Sequence, residues 1–259
     1  VNDLAIVVDT EEEMAGMDEA LKQAASEEAA ERGLPGKYVI PLLNTSGQPA
    51  LASLQNRSVR QRIFETSLSR GSRGGDFDNR DVLSKVLSLR AERSALLGFA
   101  NHAEFILANQ TAQTVEAVNQ RLAELAAPAV ANVRREANDL QALIESEGDD
   151  FQLAAWDWDF YTEKLRAKRF NFDANQLRPY FELNNVLNRG VFYAAERLFG
   201  VRFEEHEELP VYQEDVRVFE VIDVNGSTLG MFIADFYARP SKRGGAWMNS
   251  YVSQSGLTG

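Results

Sequence analysis

The spacing of apolar residues constrains the fold of this 259-residue chain more than any other feature. Over most of the chain, apolar residues recur at the period of an α-helix that packs on one face. From residue 216 they alternate, and the turn pair Asn225-Gly226 divides the alternating run, which predicts a β-hairpin over residues 216–236. We therefore expect a mainly α fold with a small antiparallel β-sheet near the C-terminal end.

The helical pattern is not continuous. It predicts helices over residues 11–32, 78–97, 114–147 and 173–199. Pro128 interrupts the third of these, so residues 1–150 are expected to form a helical lobe with a long kinked helical hairpin. Residues 151–259 open with a dense aromatic run and are expected to hold helices followed by the β-hairpin. Short apolar runs predict two further strands, at residues 38–43 and 245–252.

Composition excludes several classes of protein and site. The chain has no Cys, so disulfides, thiolate nucleophiles and Cys-ligated metals are excluded, and a cytoplasmic location is expected. Its net charge of −12 argues against nucleic-acid binding. The chain contains no apolar run of about 20 residues, so no membrane span is expected. The chain lacks an initiator Met, a signal peptide and a closing element, so we expect it to be cut from a longer protein.

Two histidines are the only candidates for metal-binding imidazoles. His206 and Glu207 begin like the zinc motif HExxH, but Pro210 stands where the second histidine belongs. A proline supplies no ligand and would end the helix that the motif needs. His102 is interpreted as an ordinary residue at the start of a helix. We expect neither a catalytic residue nor a metal ligand in this chain.

Two other stretches could carry chemistry but have simpler interpretations. Asp157 and Asp159 lie among aromatic residues and could form a catalytic pair, although residues two apart point to different faces of a helix. Aromatic packing with one aspartate capping a helix is the preferred interpretation. Residues 69–75 form a Gly- and Arg-rich loop that could hold a phosphate. That loop lacks the Lys-Ser/Thr ending of a P-loop, so a plain connector is favoured.

The stretch from Lys242 to Trp247 is a candidate for binding a peptide through its main chain. Two adjacent glycines beside a predicted strand would allow a second backbone to approach closely. A sheet edge of this sort can bind an extended peptide by strand addition. The alternative, a flexible basic loop after the hairpin, remains open from the local sequence. Without further information, the residues indicate a soluble, mostly helical domain with no active site of its own.

The order of several short segments resembles the thimet oligopeptidase family of zinc metallopeptidases, and within it the peptidyl-dipeptidase branch. Each segment is weak alone, and the specific signal is their joint order along nearly the whole chain. The segments are residues 40–51, 89–93, 96–101, 156–161, 177–183, 210–217, 235–239 and 242–248, the last containing Arg-Gly-Gly-Ala-Trp-Met.

The resemblance implies a partial two-lobed zincin-like peptidase fold whose channel admits short, unstructured peptides. It implies a parent enzyme that uses zinc and removes C-terminal dipeptides. The family's HExxH motif would lie beyond Gly259, so this chain alone is expected to be inactive and to bind no zinc. The resemblance also implies that a strand near residues 244–247 runs beside the bound peptide. Gly244, Gly245, Ala246 and Trp247 are therefore expected to bind substrate.

Two further expectations concern the chain as it stands. Apolar surface left uncovered would favour self-association. The rival hypothesis is a non-catalytic helical binding or scaffold module that works without further polypeptide.

Overall fold

The computed structural model describes residues 4–42, 48–171, 174–237, 239, 241–242, 245–253 and 255–257. The chain divides into two compact units, residues 1–169 and residues 170–259. The first unit includes the aromatic run that the sequence analysis placed at the start of the second part. The two units have separate apolar cores, and they are described separately.

The first unit has two apolar cores, and the N-terminal one is built by two strands and three helices. Strand β1 (Ala5–Val8) pairs antiparallel with β2 (Tyr38–Pro41), so that Ile6 lies opposite Ile40. Helices α1 (Glu19–Glu31), α2 (Ala50–Ser53) and α3 (Arg57–Leu68) complete this part of the unit. The buried side chains include Leu4, Ile6, Val8, Met14, Ile40, Leu51, Leu54, Val59 and Ile63.

The sequence predicted this region in part. The strand at residues 38–43 is confirmed and ends at Pro41. The helix predicted from residue 11 begins later, at Glu19, because Asp18 caps it by accepting a hydrogen bond from the Leu21 N–H at 2.8 Å. Strand β1 was not predicted. That strand is four residues long, and its partner lies about thirty residues further along the chain.

Three helices follow, and the longest of them changes the prediction for Pro128. They are α4 (Arg80–Leu96), α5 (His102–Leu107) and α6 (Val115–Ser146). Pro128 lies inside α6 and the helix continues through it, so the chain does not reverse there and the predicted helical hairpin around this proline is wrong. A proline removes only its own N–H, and the helical hydrogen bonds on either side remain.

These helices bury little of their apolar surface. Every residue from 119 to 136 in α6 is exposed, and only its last turns contribute the buried Leu140, Leu143 and Ile144. On α4, the apolar side chains of Val82, Leu83 and Leu87 are exposed. This surface supports the expectation of self-association, which stays a prediction.

A buried ion-pair cluster joins α3 to α7 (Trp158–Phe170) in the first unit. Asp157, just before α7, is fully buried and accepts hydrogen bonds from Arg57 Nη2 at 2.8 Å and from Arg60 Nη2 at 2.9 Å. Arg60 is 1% exposed and also donates to the Leu54 and Gln55 carbonyls, at 2.8 and 2.9 Å. The cluster thus ties the N-terminal core to the packing of α6 and α7.

The second unit begins with helix in several pieces rather than the single helix predicted over residues 173–199. A 3-10 helix (Ala174–Phe181) is followed by α8 (Leu183–Val186), a π-helical segment (Leu187–Phe192) and α9 (Tyr193–Phe199). The break has a local cause. The 3-10 helix ends at Phe181, and the Glu182 carboxylate caps the next helix by accepting bonds from the Asn184 and Asn185 N–H groups at 3.0 and 2.8 Å.

A three-stranded antiparallel sheet completes the second unit, in the order β3 (Arg202–Glu205), β4 (Arg217–Ile222) and β5 (Thr228–Ala234). The hairpin of β4 and β5 around Asn225-Gly226 is confirmed, with Phe219 opposite Phe232. One face of the sheet packs on Phe192, whose ring stacks on Phe203 at 4.1 Å.

The predicted fold class is confirmed: the chain is mainly helical, with a small antiparallel sheet near its C-terminal end. The two-stranded sheet in the first unit is an addition to that prediction. None of the helices that the structure describes is both long and apolar enough to cross a membrane.

Candidate functional site

The predicted substrate-binding residues lie after the last strand of the second unit. Gly244 falls outside the described residues. Gly245 has a φ of +105°, and Ala246 and Trp247 are exposed, the indole side chain at 81%. Residues 245–253, all of them described, contain no β-strand, so the strand predicted over residues 245–252 is wrong. The positive φ of Gly245 explains part of this, since a regular strand has negative φ throughout.

The loop between β5 and Gly245 is held by one carboxylate. Asp235 follows β5 directly, and its two oxygens accept hydrogen bonds from the two terminal nitrogens of Arg239, each at 2.7 Å. Such a two-point contact between guanidinium and carboxylate fixes orientation as well as distance. The Tyr212 hydroxyl donates to the same carboxylate at 3.0 Å.

Lys242 closes the loop. Its ammonium lies 2.7 Å from Asp235 Oδ1 and donates to the main-chain carbonyls of Asp235 at 2.8 Å and Tyr237 at 2.6 Å. An ammonium has three hydrogens, so all three have an acceptor within the loop. A turn bond from the Lys242 N–H to the Arg239 carbonyl, at 2.9 Å, joins the same two ends.

These contacts pair the charged groups of the loop with one another, so the loop carries strong charges but is chemically unreactive. Hydrogen bonds from Arg239 and Lys242 hold the pKa of Asp235 far below its ordinary value, so it is a fixed anion at neutral pH. The hydrogen bond to Asp235 raises the pKa of Tyr212, which keeps that phenol protonated. Because all these groups are engaged by one another, they favour a structural role over proton transfer.

The two histidines lie in different units and form no metal site with the residues around them. His206 Nδ1 lies 2.6 Å from Glu208 and its Nε2 lies 3.1 Å from Glu220, and these hydrogen bonds raise its pKa. His102 packs near the ring of Phe105, at 6.2 Å between centroids, and burial lowers its pKa. Across the described ranges, no three His, Asp or Glu side chains converge as metal ligands would.

The paired aspartates of the aromatic run do not form a site together. Asp157 is buried in the cluster with Arg57 and Arg60 and caps the start of its helix by accepting a bond from the Ala154 N–H at 3.1 Å. Asp159 is exposed. The preferred interpretation, one aspartate capping a helix among packed aromatics, is therefore confirmed.

The Gly- and Arg-rich loop at residues 69–75 is occupied by a protein carboxylate. The Gly74 N–H donates to Asp78 at 2.7 Å, and Arg80 pairs with the same side chain at 2.6 Å. These bonds, led by that from Arg80, lower the pKa of Asp78. The geometry is that of a connector leading into α4, because an acceptor of this chain already binds the main-chain N–H of Gly74.

Sequence reasoning did not predict the roles of Asp235, Arg239 and Lys242. A signal was present in their order, since an acidic residue directly after a strand is followed by basic residues four and seven positions later. Their contacts depend on a tight turn of the chain, which spacing alone does not specify.

Comparison with known proteins identifies the family. The model of peptidase family M3 matches residues 50–258. The dipeptidyl carboxypeptidase of Escherichia coli strain K12 is 42% identical over 257 residues, which covers 99% of this chain and 37% of that protein. The oligopeptidase A of Haemophilus influenzae is 34% identical over 252 residues, 96% of this chain and 37% of that protein.

The Salmonella typhimurium dipeptidyl carboxypeptidase gives a similar match, 40% identical over 97% of this chain and 37% of its own length. The chain thus spans somewhat over a third of each of these relatives. The family model covers the candidate loop and the predicted substrate-binding residues as well as α2 to α9. The chain therefore belongs to peptidase family M3.

Proposed function

We propose that this chain is part of a cytoplasmic, zinc-dependent peptidase that removes dipeptides from the C-terminal ends of short, unstructured peptides. The observation that carries the proposal is the 42% identity over 99% of the chain to a protein named dipeptidyl carboxypeptidase. The residues described here do not fit a zinc centre, because no set of three ligands converges among them. We therefore assign the metal ligands and the catalytic groups to polypeptide outside this chain.

Within that enzyme, the proposed contribution of this chain is to bind peptide through Gly245, Ala246 and Trp247, with Gly244 as their neighbour in sequence. Glycine and alanine offer no polar side chain, so the contact would be made by main-chain N–H and C=O groups. Peptide binding of this kind is favoured by two features: the segment is exposed, and it follows directly after a loop held by three charged side chains.

The proposal is tested by comparing the 259-residue chain with the full-length parent protein. We expect bound zinc and release of dipeptides only with the full-length protein, measured by atomic absorption and by mass spectrometry of the products. A peptide with an amidated C-terminus is the matched substrate control, since amidation removes the terminal charge that an enzyme acting at that end would recognise. Equal cleavage of both peptides at internal bonds would instead favour the activity suggested by the name oligopeptidase A.

The rival hypothesis makes a different prediction. A non-catalytic helical module would leave both proteins inactive, while the short chain alone would bind a native partner as tightly as the full-length protein does. That result would contradict the proposed peptidase function.

A substitution at Gly245 tests the peptide-binding segment. Gly245→Pro in the full-length protein removes a main-chain donor and imposes a negative φ in place of +105°. If the N–H binds substrate, its loss should lower kcat/KM by about tenfold or more, since an unmade buried hydrogen bond costs about 1–3 kcal/mol. Gly245→Ala is the matched control, because it also places a side chain at this positive φ but keeps the N–H, and no atom lies within 4 Å of the added Cβ. Unchanged kinetics in the proline variant would exclude this segment from substrate binding.

A further inference from the structure

Asp235 has a feature that the proposed function does not by itself require: both of its oxygens are bound entirely by side chains of its own unit. The carboxylate accepts two bonds from Arg239, one from Tyr212 and one ion pair from Lys242, at distances of 2.7 to 3.0 Å. Its side chain is only 16% exposed. A carboxylate in this state has little capacity left to bind substrate or to accept a proton, so it must act through the groups that it holds.

Those groups close a short ring in the chain. Lys242 returns to the end of β5 and binds both the carboxylate and the main-chain carbonyl of Asp235, while its third hydrogen binds the Tyr237 carbonyl. Arg239 binds the same carboxylate, and its guanidinium lies 5.7 Å from the centre of the Tyr212 ring. The chain therefore leaves this ring at a point fixed relative to the sheet.

Gly245 is the third residue after Lys242, and three residue steps can span at most about 10 Å. Whatever fixes Lys242 therefore limits where Gly245 and the residues after it can lie. We infer that Asp235 is a positioning residue, which through Arg239 and Lys242 fixes the place of the segment Gly245–Trp247. The inference rests on the proposed function, in which that segment binds peptide.

The first arm of the test needs no enzymatic activity. A protease that cleaves after lysine must take the lysine side chain into its own pocket, so cleavage after Lys242 reports how firmly that side chain is held. In the 259-residue chain, Asp235→Asn should speed cleavage after Lys242 by about tenfold, because it removes the charge that binds both basic residues. Cleavage after the exposed Lys85 on α4 is the internal control.

Glu204→Gln is the matched control variant. Glu204 lies on β3 of the same sheet and is exposed, and its ion pair with Arg202 is long, at 3.9 Å. The Glu204→Gln substitution should leave the rate of cleavage after Lys242 unchanged. An equal rate in Asp235→Asn and the unsubstituted chain, with circular dichroism showing that both are folded, would overturn the inference whether or not the parent is a peptidase.

The second arm uses the full-length protein and keeps the inference open to refutation if Asp235→Asn fails to fold. Lys242→Met retains the apolar stem of the side chain and removes its three donors. We expect KM to rise about tenfold while kcat changes less than about threefold, because substrate binding is lost and the reacting groups are untouched. An unchanged KM would overturn the positioning role even if the first arm succeeds. Absence of cleavage by the unsubstituted protein would count against the proposed function, and the first arm would still decide whether Asp235 holds the loop.

Discussion

Replacing Asp157 by alanine is expected to lower the free energy of unfolding of the first unit by about 3–5 kcal/mol. The carboxylate is fully buried and binds two guanidinium groups, one of which, that of Arg60, is itself buried. Removing it leaves the buried Arg60 guanidinium without a counter-ion, whereas Arg57, whose side chain is 36% exposed, still reaches water. It also removes the acceptor for the Ala154 N–H at the start of the helix.

A fluorescence measurement can follow this unit alone. Trp156 and Trp158 lie in the first unit, and Trp156 packs edge-on against Phe64 at 6.4 Å between ring centroids. In a Trp247→Phe background, urea unfolding followed by tryptophan emission would therefore report residues 1–169. Asp159→Ala is the matched control, since this exposed aspartate lies two positions away and should cost less than about 0.5 kcal/mol. Equal losses in the two variants would contradict the assigned role of the buried cluster.

The same site gives a pH dependence with a definite sign. Burial raises the pKa of Asp157, but hydrogen bonds from Arg57, Arg60 and the Ala154 N–H outweigh it and leave the pKa below its ordinary value. A carboxylate with a lowered pKa stabilises the folded state above its unfolded pKa, about 3.9, and loses that effect as the pH falls through the folded value. The difference in stability between the unsubstituted chain and Asp157→Asn should therefore be constant near neutral pH and shrink below about pH 4.

Gly16→Ala is expected to destabilise the first unit by about 2–5 kcal/mol. Gly16 has a φ of +91°, which costs an alanine about 1–2 kcal/mol. An added Cβ would also lie 2.1 Å from the main-chain oxygen of Ser53. That oxygen belongs to α2 and cannot move aside like the end of a flexible side chain, so overpacking adds about 1–3 kcal/mol.

Gly36→Ala separates the two contributions. Gly36 has a similar φ of +83° in the same unit, but nothing lies within 4 Å of its added Cβ. It should therefore show only the backbone cost, and the difference between the two variants in chemical denaturation measures the contact with Ser53. If both variants lose the same free energy, close packing at Gly16 is not what requires a glycine there.

Local signals explain what could be predicted of the fold. The hairpin at Asn225-Gly226 and the stop of a helix at Gly200, whose φ is +74°, depend on the conformational preferences of one or two residues. The Asn101 cap, which accepts a bond from the Glu104 N–H at 3.0 Å, is equally local. Such features depend on adjacent residues, and the hairpin and the end of the helix at residue 199 were predicted from them.

What escaped prediction depends on residues far apart in the chain. Strand β1 exists because Ile6 meets Ile40, and its own four residues carry too weak a signal to stand alone. One aspartate of the aromatic run was interpreted as a helix cap, but the two arginines that bind Asp157 lie about a hundred residues earlier. The predicted strand at residues 245–252 failed for the opposite reason, since its local composition favours a strand while no partner strand pairs with these described residues.

The candidate site was predicted only in outline. Its place after the hairpin followed from the order of the motifs, and the assignment of Gly244, Gly245, Ala246 and Trp247 to substrate binding stays a prediction. The charged loop before it could not be derived from spacing, because its contacts depend on how sharply the chain turns between Asp235 and Lys242.

The exposure of residues 119–136 in α6 has a consequence for cooperativity. The last turns of this helix unfold only when the core around Leu140 and Ile144 does, whereas the exposed turns are held by their own hydrogen bonds alone. Opening of those turns is therefore a local helix–coil equilibrium, with nucleation and propagation constants in place of a global free energy. One continuous helix thus contains two thermodynamic regimes, and amide hydrogen exchange along it would slow sharply as it approaches residue 140.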